Sequence, residues 1–295
     1  MTYLPVSMIA ALQAAVRDLH PFLDRFYPIG VAVDDRLHIY DVDPDRRAYR
    51  LVRHSVVPSP VLDGMRATVP LADYSNRPVC VVTADDFESI YGYIGVFHEF
   101  VHCAQWETCE PSLAAELATA NPTIGNMSLW EARHAFEYED DRFVYSYGRL
   151  LAALSTGDLV TALSCHAAVV RDLVPLDREF MVWQEWKEGF ARWVENKVRR
   201  RLGLRRNESG RTAPYGRGAF HVGGAGLIDL LVRAEPCLAH NPDQLYQRLH
   251  AACGPTVGMH ISSQPETHAR ESASRWSEIR TEPAAETPVT ARAGP

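Results

Sequence analysis

The spacing of apolar residues changes character along the chain. From Met1 to His20 they recur at helical intervals, and the segment reads as an amphipathic helix. Between Pro28 and Val56, β-branched and polar residues alternate around Asp34-Asp35 and Asp43-Pro44-Asp45, which predicts a small antiparallel meander of short strands and turns. Two more extended segments are expected at Met65 to Leu71 and Pro78 to Thr83. The run Val79, Cys80, Val81, Val82 in the second suits a strand buried on both faces. From Asp85 onward the pattern is helical. Asp85 and Glu88 have capping-box spacing ahead of a helix from Ile90 to Ala104, and Ser128 and Glu131 repeat it ahead of a long helix to about Leu154. Thr156-Gly157-Asp158 then breaks the pattern before a helix to about Val174. From about Leu176 to Leu202, Trp183, Trp186, Phe190, Trp193 and Val194 form one apolar stripe, which predicts a core-facing helix. Further helices are expected from Ala219 to Ala234 and after Asn241-Pro242. The class is α+β: a small N-terminal mixed or antiparallel sheet followed by a mainly helical region. One domain is expected over residues 1–255. The tail, 256–295, has too few apolar residues to offset the entropy of ordering and is expected to be disordered.

Composition narrows the classes of function. A chain of 295 residues can bury a self-sufficient core, so no metal is needed merely for folding. The net charge of −7 supplies no basic field, and a nucleic-acid partner is not expected. Asp158, Arg171 and Asp172 interrupt the most apolar region, and the N-terminus lacks the pattern of a signal peptide, so no membrane partner and a cytoplasmic location are expected. The cysteines Cys80, Cys103, Cys109, Cys165, Cys237 and Cys253 form no C-x-x-C pair and read as thiols of a reducing compartment.

The chemistry concentrates in Val96-Phe97-His98-Glu99-Phe100-Val101-His102-Cys103-Ala104-Gln105, an H-E-x-x-H on a predicted helix. A spacing of four puts His98 and His102 on one face, one turn apart, where their nitrogens can share a metal. Between Ile90 and Ala104 the only strongly polar side chains are His98, Glu99 and His102, and burying them without partners would cost several kcal/mol each, roughly 2–7. A metal with its water would satisfy all three, whereas two histidines hydrogen-bonded in a core are the plainer alternative. Gly92 and Gly95 thin the histidine side of the helix for a close approach, and Gln105 falls one turn beyond His102.

A catalytic tetrahedral site needs a third protein ligand. A metzincin extension is absent, since Thr108 stands where its third ligand would be. Glu131 and His134 form an E-x-x-H, but their order and spacing do not suit a di-iron bundle, so Glu131 reads as a capping residue and His134 as an ordinary helix residue. Downstream lies Glu185-Trp186-Lys187-Glu188-Gly189-Phe190-Ala191-Arg192-Trp193. Together, H-E-x-x-H-x-x-Q and E-G-x-A-x-W resemble the glutamate-zincins, metallopeptidases whose third zinc ligand is the Glu of such an E-G-x-A segment. The resemblance spans about Val79 to Glu195 and implies a zincin-like fold with Glu188 as third ligand. Glu185, one turn earlier, is the competitor, and small Gly189 and Ala191 favour Glu188 by allowing close helix approach. The 85 residues between His102 and Glu188 imply a helical insertion. Tyr215 and His221 stand where a glutamate-zincin supplies a donor to the transition-state oxyanion, and equally read as a loop tyrosine and a helix-start histidine.

The expected function is therefore a zinc-dependent metallohydrolase, a peptidase acting on a peptide or amide bond. His98, His102 and Glu188 would hold Zn²⁺, and Glu99 would act as general base and acid. Val79 to Thr83 would offer a sheet edge for an extended peptide substrate. The basic run Arg199, Arg200, Arg201, Arg205, Arg206, Arg211 and Arg217 reads as charge at a helix C-terminus plus a solvated loop, in which one Arg could hold a substrate carboxylate. Two alternatives share the ligands: a non-haem Fe²⁺ oxygenase with a 2-oxo-acid cosubstrate acting on a peptide or small molecule, and a zincin-like binding protein without catalysis.

Overall fold

The computed structural model describes residues 7–34, 36–43, 48–56 and 66–252. Helix α1 (Ser7–Val16) precedes strands β1 (Ile29–Val33), β2 (Arg36–Asp43), β3 (Ala48–Val56), β4 (Ala67–Leu71) and β5 (Arg77–Thr83). Nine helices are present among the described residues, continuing with α2 (Ile90–Thr108), α3 (Glu110–Ala120), α4 (Met127–Arg133), α5 (Asp141–Thr156), α6 (Leu159–Asp172), α7 (Pro175–Arg201), α8 (Arg217–Ala234) and α9 (Pro242–Ala251). The architecture is α+β, a small five-stranded mixed sheet followed by a mainly helical region. The expected tail from 256 onward, Cys253, the start of the expected strand at Met65 and the turn residues Asp35, Pro44 and Asp45 lie outside the described residues.

Strand order is β3-β2-β1-β5-β4. The first three strands form the expected meander, and β1 also pairs in parallel with β5, Ile29 opposite Cys80 and Val31 opposite Val82. The apolar run of β5 is buried on both faces, as its composition predicts. Cys80 and Val82 face the main core, while Val79 and Val81 join Leu37, Ile39 and Leu71 in a smaller cluster on the other face. One expectation is corrected here: β5 offers no edge, because β1 and β4 flank it, and the free edge on this side of the sheet belongs to β4.

A turn of 3-10 helix at Ala84–Glu88 links β5 to α2, which lies against β5 and β4. The capping box of that turn is Thr83 with Asp86 rather than Asp85 with Glu88, and Ser89 caps α2 by accepting from the Gly92 N–H at 3.2 Å. The helix expected from Ser128 to Leu154 is two: α4 stops at Arg133, and Asp140 caps a fresh start by accepting from the Arg142 and Phe143 N–H groups. Asn126, not Ser128, caps α4. Freed from capping, Glu131 accepts from Gln184 and Lys187, and His134 at the C-cap faces Asp177 at 2.8 Å. The sequence pattern misses α3, which Lys187 and Glu110 tie to α7 at 2.8 Å. In α7 the stripe of Trp183, Trp186, Phe190, Trp193 and Val194 is buried, as expected. Helix α8 packs along α7 so closely that a Cβ at Gly189 would fall 2.7 Å from the Gly224 Cα, while α2 packs on another face of α7. No helix among the described residues is long and apolar enough to cross a membrane.

Candidate metal site

The crossing of α2 and α7 brings together residues far apart in the chain. His98 and His102 project from one face of α2 with their Nε2 atoms 3.2 Å apart. Glu188 reaches across from α7, its Oε2 lying 3.4 Å from His98 Nε2 and 3.5 Å from His102 Nε2. Glu185 is elsewhere, fully buried, and accepts from the Tyr147 hydroxyl at 2.9 Å and from His166 Nε2 at 2.7 Å. Of the two candidate carboxylates, only Glu188 faces the histidines.

Hydrogen bonds on the outer side orient both imidazoles. Gln105 Nε2 donates to the Lys187 carbonyl at 3.3 Å, so Gln105 Oε1 faces His102 Nδ1 at 2.8 Å and the ring donates there. His98 Nδ1 lies 3.2 Å from Glu195 Oε2, an acceptor. In their neutral forms both rings therefore turn an Nε2 lone pair inward, toward a carboxylate oxygen. Three acceptors at 3.2–3.5 Å with no proton between them repel unless a cation joins them. Tetrahedral zinc with N and O ligands requires donor–donor separations of about 3.3–3.4 Å, so the residues fit such an ion. His98, Glu99 and His102 also have donor atoms within 4.8 Å of one another and could hold a metal ion, but the triplet with Glu188 is tighter. Glu99 is buried beside the cluster, where the Thr68 hydroxyl of β4 donates to Glu99 Oε2 at 3.1 Å and lies 3.0 Å from the Glu99 carbonyl.

The electrostatics of the ionisable groups show the same demand for positive charge. Burial alone would lower the His98 pKa, but Glu188 and Glu195 reverse that and raise it to about 10. His102 is shifted upward against its burial by Glu188. Glu188, which burial would raise, is held well below the usual carboxylate range by His102, His221 and His98. With no metal bound, protons supply the charge that the cluster demands.

His221, from α8, joins the edge of the cluster with Nδ1 3.7 Å from Glu188 Oε2. Its Nε2 is buried without a hydrogen-bond partner among the described residues, and burial pushes its pKa down to about 4. Tyr215 is not brought to the cluster, since its ring packs on Phe143 and Tyr147 and its hydroxyl lies against Gly148, all on α5. Gly92 and Gly95 do mark close approaches, by the Asp86 carbonyl and the Arg66 side chain. Sequence reasoning misses Glu195, Arg192 and Thr68. Glu195 left a signal, seven residues beyond Glu188 and so on the same face of α7, whereas Thr68 sits on a different element with no local pattern pointing to it. No family model, curated protein or solved structure matches this chain.

Proposed function

We propose that this protein is a zinc-dependent metallohydrolase of zincin-like fold, cleaving a peptide or amide bond, with His98, His102 and Glu188 as metal ligands. The observation that carries this reading is the convergence of two histidine Nε2 atoms and one carboxylate oxygen at 3.2, 3.4 and 3.5 Å, from two helices whose ligands His102 and Glu188 have 85 residues between them. When bound, Zn²⁺ would polarise the scissile carbonyl and make a water molecule acidic enough to react near neutral pH. Glu99, oriented by the Thr68 hydroxyl, takes the proton of the attacking water and passes it to the leaving amine. His221, neutral and with an unpartnered nitrogen, is the nearer of the two expected candidates for a donor to the oxyanion. An extended substrate adding as a strand to β4 would pass beside Glu99.

Elemental analysis of untagged full-length protein tests the reading. About one zinc per chain, absent in Glu188→Ala, is expected; bound iron would turn the proposal toward the Fe²⁺ oxygenase, and no transition metal would overturn it. Glu99→Gln is expected to keep the zinc and to lose about 10²–10⁴-fold in peptide turnover. Undiminished turnover in that variant would remove Glu99 from the chemistry.

A further inference from the structure

Glu195 occupies α7 two turns beyond Glu188 and is 4% exposed. Its carboxylate touches four groups. Oε2 lies 3.2 Å from His98 Nδ1 and 3.0 Å from Arg192 Nε, while Oε1 accepts from Arg199 Nε at 2.7 Å and Asn207 Nδ2 at 2.9 Å. Both oxygens are engaged by the protein itself, Oε1 by two hydrogen bonds and Oε2 by His98 Nδ1 and the charge of Arg192. Two guanidiniums offset the cost of burying the charge. Asn207 comes from the segment between α7 and α8 and is clasped to α7 a second time, its N–H donating to Asn196 Oδ1 at 2.7 Å.

We propose that Glu195 is a positioning residue for the metal ligand His98, and that Asn207 extends this control to the segment joining α7 to α8; the inference rests on the zinc-site reading above. A carboxylate accepting from Nδ1–H locks the tautomer that leaves Nε2 free, fixes the ring plane and strengthens the nitrogen as a donor. His102 is oriented by the neutral amide of Gln105 instead. The two histidines are therefore unequal, His98 being the stronger and more rigidly held ligand. An ion pair serving only to satisfy Arg192 and Arg199 would stabilise α7 without altering the ligand field at the metal.

The test uses the full chain stripped of metal and titrated with Zn²⁺ against a chromophoric chelator, and separately with Co²⁺, whose visible spectrum reports the ligand field. Glu195→Gln is expected to weaken Zn²⁺ binding about 10–100-fold and to shift the Co²⁺ bands. Asn207→Ala should weaken binding in the same direction by a smaller factor. Unchanged Zn²⁺ affinity or an unmoved Co²⁺ spectrum in a folded Glu195→Gln protein would overturn the proposal. If Glu195→Gln does not fold, Asn207→Ala decides, and wild-type affinity there overturns it. Failure of the wild-type chain to take up Zn²⁺ would instead overturn the site reading, and this inference with it.

Discussion

Glu185 and Glu188 are one turn apart on α7, and their surroundings give them opposite duties. Glu185 closes a fully buried group with Tyr147 and His166, so its removal takes a charged acceptor from both and leaves the Tyr147 hydroxyl the Ala219 carbonyl at 3.1 Å. Glu185→Ala should therefore cost about 3 kcal/mol or more of folding stability, measured by urea denaturation of the metal-free protein. Glu188→Ala should abolish zinc binding, and in the metal-free protein it should cost less stability than Glu185→Ala, because His98 and His102 can shed their protons once the carboxylate is gone. The reverse pattern would reassign the ligand to Glu185. His20 supports a second prediction. Its Nδ1 accepts from the Phe22 N–H at 3.2 Å and its Nε2 donates to the Ala239 carbonyl at 2.6 Å, a pairing that only the neutral ring satisfies. Burial pushes its pKa down to about 4. With the folded pKa below the unfolded one, the unfolded chain takes up the proton first. Stability is thus complete above about pH 6.5 and declines as pH falls toward 4, by about 2 kcal/mol at pH 5. Urea midpoints at pH 7 and pH 5 should show a smaller drop in His20→Asn than in the wild type, and equal drops would exclude His20 as the source.

At the level of elements, the site depends on how closely three helices approach. Gly189 and Gly224 let α7 and α8 meet backbone to backbone, and a Cβ at Gly224 would collide with the Glu185 carbonyl. Carbonyls in a helix cannot turn aside as a flexible side chain can, so Gly224→Ala must move α7 or α8. A loss of about 1–3 kcal/mol in stability is expected, together with weaker zinc binding as Glu188 shifts relative to α2. An unaltered melting temperature and zinc affinity would show that the interface yields without strain. Gly189 was legible in sequence as a point of close approach; its partner was not, because nothing local to α8 indicates which neighbour Gly224 meets. The capping assignments around Asp85 and Ser128 failed for a similar reason. The S-x-x-E spacing is satisfied by Ser128 and Glu131, yet Glu131 gains more from the half-buried ammonium of Lys187, 2.9 Å away, than from an exposed helix end.

For the molecule as a whole, the proposed metal site would link α2 to α7, and a bound ion should stabilise the folded chain by mass action. Free Zn²⁺ at a thousand times its Kd would add about 4 kcal/mol, so thermal melting should shift upward with zinc and downward with a strong chelator. No shift with zinc would argue against a preformed site. The α+β class, the meander, the doubly buried β5, the aromatic face of α7 and the motif on α2 were all legible from the residues alone. Each depends on a local period, two for a strand and 3.6 for a helix, and neighbours three or four residues apart in a helix meet whatever the rest of the chain does. His98, Glu99 and His102 belong to that class of information. What only the tertiary structure decided was the division of labour between Glu188 and Glu185, the engagement of Glu195 with His98, the placing of Tyr215 on α5, and the exchange of β5 for β4 as the free edge. Each of these is set by long-range packing, in which burial of the tryptophan stripe and the glycine contact between α7 and α8 orient α7 as a whole, and no local period records which face then meets the histidines.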